Sequence, residues 1–313
     1  MAASDKEYKL REDFKKKAFE ELREDDKLRT QALAQFREWI EKHPKIKRCR
    51  MDTNFLLRFL RTKKFSVPDA VELLKNYLTT RKLFPQFFDG LSLDDPVIKH
   101  LLTSGCIELL PEPDKQGRVL LTYSREGVDV TKHTSTDLIR TMNLAYELAL
   151  LDERAQIYGM AHVINWKDFS VANAKIWTIP QMKNFARCMH KTFPLRHALI
   201  FNINFTKYGV IIWKIVASFF SEKLRKRVQI VDDWKTIYDE VGTSALPKEY
   251  GGSVPRSEIS KKIVELAEKH RDEILALNDF EIEISDEDVN FGNTHDADLD
   301  AAIVGSFREI VLD

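Results

Sequence analysis

Residues 197–233 read HALIFNINFTKYGVIIWKIVASFFSEKLRKRVQIVDD. Two short runs rich in Val, Ile and Phe, HALIFNINF (197–205) and RVQIVDD (227–233), flank a longer apolar run, YGVIIWKIVASFFSEKLRKR (208–227). Neither short run alternates cleanly between apolar and polar residues, which is the pattern of strands covered on both faces. Further upstream, RVLLTYS (118–124) and YGMAHVINW (158–166) have the same character, and helical patterns occupy 136–151 and 171–191. Strand–helix–strand repetition predicts parallel crossovers and an α/β sandwich. The α/β block spans residues 95–255 and closes in the turn-rich LPKEYGGS (246–253).

The run 208–227 admits three readings: a buried core helix, a membrane span, or a surface that enters a membrane and leaves it again. A span needs about 18 to 20 consecutive apolar residues. Lys214 interrupts the run, which rejects a span. The other two readings stay open. The run ends in Lys223, Arg225, Lys226 and Arg227, a basic cluster of the kind attracted to an anionic bilayer surface.

Residues 1–27 read as a charged segment and 28–94 as a small helical module. Leu28, Ala32, Phe36, Trp39 and Ile40 recur at helical spacing, and Pro44 ends that helix. Asp52 or Thr53 is placed to cap a second helix with Phe55, Leu56, Phe59 and Leu60 inward. Ser66 is placed to cap a third, with Pro68 in its first turn. Residues 256–313 read as a helix followed by an acidic tail. From Asp279 onward that tail holds 11 acidic residues and one basic, with enough apolar residues to dock.

Across 313 residues, Lys plus Arg and Asp plus Glu each number 49. This balance argues against a general nucleic-acid binder, whose footprint is strongly basic. Three widely spaced cysteines, Cys49, Cys106 and Cys188, match no zinc spacing and read as reduced thiols of a cytosolic protein. The N-terminal residues contain no apolar stretch of the secretory type.

The chain has no GxSxG, HExxH, P-loop or GxGxxG motif. His162 and His197 fall on predicted strands and read as structural histidines. Glu147, Asp152 and Asp168 read as caps or ion pairs. Neither a catalytic residue nor a metal ligand is expected, and binding remains as the function. The helix 136–151 is apolar over most of its surface, so it is a core crossover or one wall of a cavity. Met142 and Tyr146, four apart, suit a cavity wall: Met adapts to irregular ligands, and a buried Tyr hydroxyl orients one polar group.

LLRFLRTKKF (56–65) with AVELLKNYLTTR (70–81), KTFPLRHALIFNIN (191–204), FFSEKLRKRV (219–228) and LPKEYGGS (246–253) together resemble, in order, the motifs of the CRAL-TRIO, or Sec14-like, lipid-binding family. The chain is most similar to its animal branch of α-tocopherol transfer protein, cellular retinaldehyde-binding protein and the clavesins. The resemblance spans about 28–255. It implies a helical module beside an α/β domain that encloses one hydrophobic ligand under a mobile gate helix.

By position, the resemblance implies a pocket at Ile139, Met142, Tyr146, Ile164, Phe185, Cys188, Phe193, Leu195 and Ile200. The gate falls on Val210, Ile212, Trp213, Val216, Phe219 and Phe220. A phosphoinositide or membrane site falls on Arg196, Lys223 and Arg227, with Lys191, Arg225 and Lys226 nearby. The chain departs from the family pattern at Met142 and Tyr146, which are serines in the tocopherol carrier, and at Ile164, a glutamate in the retinaldehyde carrier. Ala198 stands where the tocopherol carrier has an arginine, and Glu72 stands at a further basic position of the family's phosphoinositide site.

The resemblance implies no cofactor beyond a bound tocopherol-, retinoid- or carotenoid-like lipid. It implies a cytoplasmic monomer that associates transiently with anionic or phosphoinositide membranes. A phosphoinositide-binding adaptor without ligand transfer is the alternative. Exposing even half of the gate in water would cost on the order of 10 kcal/mol, and contact with lipid removes most of that cost.

Overall fold

A five-stranded sheet organises the chain. The structure, a computed structural model, describes residues 8–178, 180–182, 184–185, 192–218 and 220–285. Helices α1 (Glu12–Leu22) and α2 (Asp26–Lys42) are followed by strand β1 (Ile46–Arg48), then α3 (Thr53–Thr62), α4 (Val67–Leu83), α5 (Pro85–Phe88) and α6 (Pro96–Thr103). The sheet proper holds β2 (Ile107–Leu109), β3 (Val119–Tyr123), β4 (Met160–Asn165), β5 (His197–Ile203) and β6 (Val228–Val231), in that spatial order. Strand β2 pairs antiparallel with β3, and the remaining pairs are parallel. Between these strands run α7 (Ser135–Ala149), α8 (Glu153–Ile157), α9 (Val171–Lys175) and α10 (Lys207–Ser218). The short α11 (Glu222–Arg225) leads into β6, and α12 (Trp234–Val241), α13 (Arg256–Lys269) and α14 (Arg271–Leu275) follow it.

Alternation sorts the strand side chains onto two faces. Leu120, Ala161, Val163, Leu199, Phe201 and Ile203 pack with Ile237 and Val241 of α12 on one face. On the other, Val119, Leu121 and Met160 pack with α7 and the N-terminal helices, while Ile200 packs with Trp166 and α10. Both faces are covered, which is why the strands show no clean polar stripe.

The helices start where local chemistry places them. Asp52 accepts a bond from the Phe55 amide at the head of α3. Thr134 and Asp137 form a reciprocal capping box on α7. Ser66 stands at the start of α4 as expected, but its side chain makes no capping bond there; Pro68 in the first turn fixes the backbone.

Three expectations need correction. The charged segment 1–27 contains the helix α1, whose Phe14, Ala18 and Leu22 are buried. High charge hid it, because only one residue in four along it faces inward. The short antiparallel strand β2 was not expected, since three residues carry too little pattern. The C-terminal helix is interrupted at His270, giving α13 and α14. Beyond them, β7 (Glu281–Ile282) pairs antiparallel with β1, so the start of the acidic tail is docked on the N-terminal module.

Two arginines of LLRFLRTKKF tie that module to the α/β domain. Arg58 pairs with Glu147 of α7 at 2.9 Å, both side chains 1% exposed. Glu147 also accepts a bond from the Tyr77 hydroxyl at 2.5 Å. Arg61 bonds Glu24, Glu153 and Gln156, joining α1–α2, α3 and α8. The reading of Glu147 as an ion-pair partner and Asp152 as a cap holds; Asp152 accepts from the Arg154 amide.

Candidate functional site

Helix α10 packs beside α9 and on Trp166. Ile211, Ile212, Trp213 and Ile215 are buried, and Val216 and Phe220 are partly buried. Beneath them stand Ile200 of β5 and Trp166, which follows β4. The Trp166 ring meets Trp213 edge-on at 6.5 Å and stacks on Phe205 at 5.3 Å. Gly209 permits this seat: a Cβ there would stand 2.8 Å from the Trp166 ring. Val210 faces outward and is 37% exposed. Phe219 lies outside the described residues.

The helix also has a bound end. Arg225 donates from Nε to the Ala217 carbonyl at 3.3 Å and from Nη2 to the Ser218 carbonyl at 3.1 Å. These are carbonyls at the C-terminal end, where a helix has no internal donors to offer. Arg225 therefore closes α10, and Lys226 pairs with Glu222 at 2.8 Å. Lys223 is exposed.

The expected pocket residues fall into two adjoining groups on the same side of the sheet. Ile139, Tyr146, Phe193 and Leu195 are buried together beside α7, with Met142 and Phe185 partly buried against them. The Phe193 ring lies edge-on to Tyr146 at 5.5 Å. Ile164 and Ile200 belong to the second group, under α10. Cys188 lies outside the described residues, as does Lys191.

A buried polar chain starts at the first group. Tyr123 Oη donates to Tyr146 Oη at 3.3 Å and lies 3.0 Å from His162 Nδ1. His162 Nε2 is 2.9 Å from His197 Nδ1. Burial, aided by the neighbouring His197, holds His162 well below the ordinary histidine range. Burial first, and Arg227 second, lower His197 to about 4. Both imidazoles are therefore neutral at pH 7, each with one donor and one acceptor nitrogen. The Tyr146 hydroxyl, pushed up to about 12 by burial, stays protonated. The two histidines are structural, as expected, and they are also linked to each other.

The far end of this chain reaches a basic cleft of about 190 Å³. His197, Arg196, Arg227, Arg118 and Lys17 line it, with Glu21. Arg227 donates to the His197 carbonyl. Arg196 donates to Glu21 at 3.3 Å, and its Nη1 is buried without a partner. Burial lowers the pKa of Arg196, with Glu21 opposing and Arg227 adding to the effect. Arg196 and Arg227 are thus brought together as expected, while Lys223, Arg225 and Lys226 do not line this cleft. Lys17 and Glu21 come from α1, and Arg118 immediately precedes β3. They lie far apart in sequence, so no local motif marks them.

Asn202 on β5 was also missed. It is fully buried, and its Oδ1 accepts from Trp166 Nε1 at 3.0 Å. A polar residue inside HALIFNINF was the available signal.

Among the described residues, no helix is long and apolar enough to cross a membrane, and no cluster of three metal-ligating side chains occurs.

The sheet thus carries an apolar helix seated on Trp166, a chain of buried polar groups that starts beside α7, and a basic cleft at the far end of that chain. The family model described as CRAL/TRIO domain matches residues 103–252, and one described as Pinta-like, UBA domain matches residues 25–98. Clavesin-1 of Mus musculus is 31% identical over 240 residues, covering 76% of this chain and 68% of that protein. Clavesin-2 of Homo sapiens is 28% identical over 240 residues, covering 76% and 73%. The crystal structure of Sfh5 aligns with a TM-score of 0.45 at 16% identity, over 85% of this chain and 100% of that one. The chain belongs to the CRAL/TRIO family of lipid-binding and lipid-transfer proteins.

Proposed function

We propose that this chain holds one small hydrophobic lipid between α7, the sheet and α10, and carries it between membranes, α10 opening at an anionic surface. The observation that carries this reading is the construction of α10. Four large apolar side chains, Ile211, Ile212, Trp213 and Ile215, are buried, worth on the order of 10 kcal/mol. Opening in water forfeits that burial; opening against lipid keeps it. Helix closure through Arg225 and the outward Val210 support a surface that meets a bilayer as one piece.

The cleft at Arg196 and Arg227 supports recognition of a phosphorylated headgroup, since a buried guanidinium nitrogen without a partner favours an anion. That cleft also favours the second reading, a phosphoinositide-binding adaptor without ligand transfer. A tocopherol-, retinoid- or carotenoid-like lipid suits the apolar surroundings, with Tyr146 meeting its polar end.

The test is transfer of a fluorescent lipid from neutral donor vesicles to acceptor vesicles with and without phosphatidylinositol bisphosphate. Acceleration that rises with the anionic lipid and falls in R196E/R227E supports a carrier. Binding to those vesicles with no transfer from a panel of lipid probes supports the adaptor instead.

A further inference from the structure

We propose that the free edge of β6 pairs with the same edge of a second copy of this chain, antiparallel and about a two-fold axis through Gln229. The dimer so formed sets both α10 helices on one side of a joined sheet. The family resemblance implies a monomer; the edge of β6 points to two copies.

Strand β6 is the last in the order β2–β3–β4–β5–β6, so only one of its edges is used. The Ile200 N–H donates to the Arg227 carbonyl at 3.0 Å. In a parallel ladder with Ile200 opposite Val228, this turns the backbone groups of Gln229 and Val231 to β5 and those of Val228 and Ile230 outward. Among the described residues, the outward N–H and C=O groups have no partner. The usual guards of an edge are missing as well: Val228–Val231 contains no Lys or Pro, and no bulge breaks its register with β5. Ile230, at 62%, is the most exposed large apolar side chain among the described residues.

The ends of the strand choose the occupant. Arg225, Lys226 and Arg227 precede it, and Asp232 and Asp233 follow it. A parallel second copy would set like charges side by side, whereas an antiparallel one sets basic against acidic at both ends. In an antiparallel pair, residues directly opposite exchange both of their backbone bonds or neither. Outward-turned residues must therefore face each other. Centring on Gln229 meets this condition: Val228 of each copy faces Ile230 of the other, and Lys226 faces Asp232. Lys226 is engaged by Glu222 at 2.8 Å in an exposed pair, and Asp232 is exposed. Such a surface pair is worth little and is readily exchanged. The contact is the same patch on both copies, so it closes at two and does not propagate. Val228 and Ile230 share one face of the strand, and Val228 packs against the cluster of Trp166 and α10. Opposed residues of a ladder also share a face, so both α10 helices fall on the same side, where one flat surface such as a bilayer meets them together.

Sedimentation velocity of the full chain over about a hundredfold range of concentration reads the association. The wild type is expected to shift reversibly from one copy to two. Ile230→Pro is expected to weaken that association about tenfold or more. The Ile230 N–H makes no bond to β5, so this substitution leaves the native ladder intact. Ile230→Lys keeps the N–H and is the second variant, with a loss of similar size expected from a charge on the edge. Gln229→Cys sets a thiol opposite its own copy at a non-hydrogen-bonded position, where Cα atoms about 4.5 Å apart suit a disulfide. Under mild oxidation this variant is expected to give a covalent dimer that the wild type, with its native cysteines, does not. A wild type that stays single at every concentration, leaving the edge to a strand of a different protein, overturns the proposal. Association unchanged in both Ile230 variants, or no disulfide in Gln229→Cys, also overturns it.

Discussion

Gly209 sits so close to Trp166 that a Cβ would stand 2.8 Å from the indole ring and 3.3 Å from Thr206 Oγ1. The helix that covers the site is seated on a tryptophan through a residue with no side chain.

Gly209→Ala therefore sets two effects against each other. Alanine favours the helical backbone by about 1 kcal/mol, but its methyl group pushes α10 away from Trp166. Displacement is expected to win for the closed state: lipid transfer between vesicles speeds up, and amides of residues 210–216 exchange faster. Unchanged exchange there would show that α10 is not held by this contact.

Arg225→Ala removes the donors to the Ala217 and Ser218 carbonyls. Each such bond is worth about 0.5–1.5 kcal/mol. The expected outcome is faster amide exchange in the last turn of α10 with little change in global unfolding. A charge-retaining lysine restores less than half of the protection, since it lacks the planar fork. Full rescue by lysine would mean that charge alone matters there.

Arg58→Met leaves Glu147 buried without its closest cation, with Arg81 at 3.6 Å and the Tyr77 hydroxyl as its remaining partners. Breaking one side of a buried pair costs about 3–5 kcal/mol. Urea unfolding is expected to show a loss of that size. Because Arg81 also pairs with Glu147, replacing all three groups, in R58M/R81M/E147L, is expected to recover much of it. A triple variant no better than the single one would contradict the burial of an undercompensated charge as the cause.

The His162–His197 pair makes stability fall in mild acid. Both native imidazoles are held below the ordinary histidine pKa by burial. Above about pH 6.5 both native and unfolded chains carry them neutral, and the pair adds no pH dependence. Below that, the unfolded chain binds protons that the native chain refuses, so stability drops by about 1.4 kcal/mol per pH unit for each histidine. For His197 the drop ends near pH 4, where its native form protonates. Unfolding free energies of the wild type and H162Q/H197Q between pH 7 and 5 are the measurement. A steeper slope in the wild type is expected; parallel slopes would contradict the pair's neutrality.

Much of this architecture is legible in the sequence because burial on both faces leaves apolar runs of strand length. HALIFNINF and YGMAHVINW announce β5 and β4, and the run after the former announces α10. What the sequence hides is what depends on distance. Arg58 and Arg61 look like ordinary charges in LLRFLRTKKF, and only the packing of α3 against α7 and α8 shows that they are buried connectors. Lys17 and Arg118 reach the cleft of Arg196 from two other elements, with no spacing to reveal them. Conversely, Arg225 reads as one more basic residue of a membrane-facing cluster, yet its guanidinium is spent on the carbonyls of α10. The expected pocket and gate residues at Cys188 and Phe219, and the cation Lys191, lie outside the described residues.

Mass spectrometry of the organic extract of the purified full chain tests the central claim most directly. One small lipid per chain is the expected result, a hydrophobic molecule displaced when α10 is loosened by Gly209→Ala. An extract without lipid, from protein that also takes up none from a broad panel, would contradict a carrier.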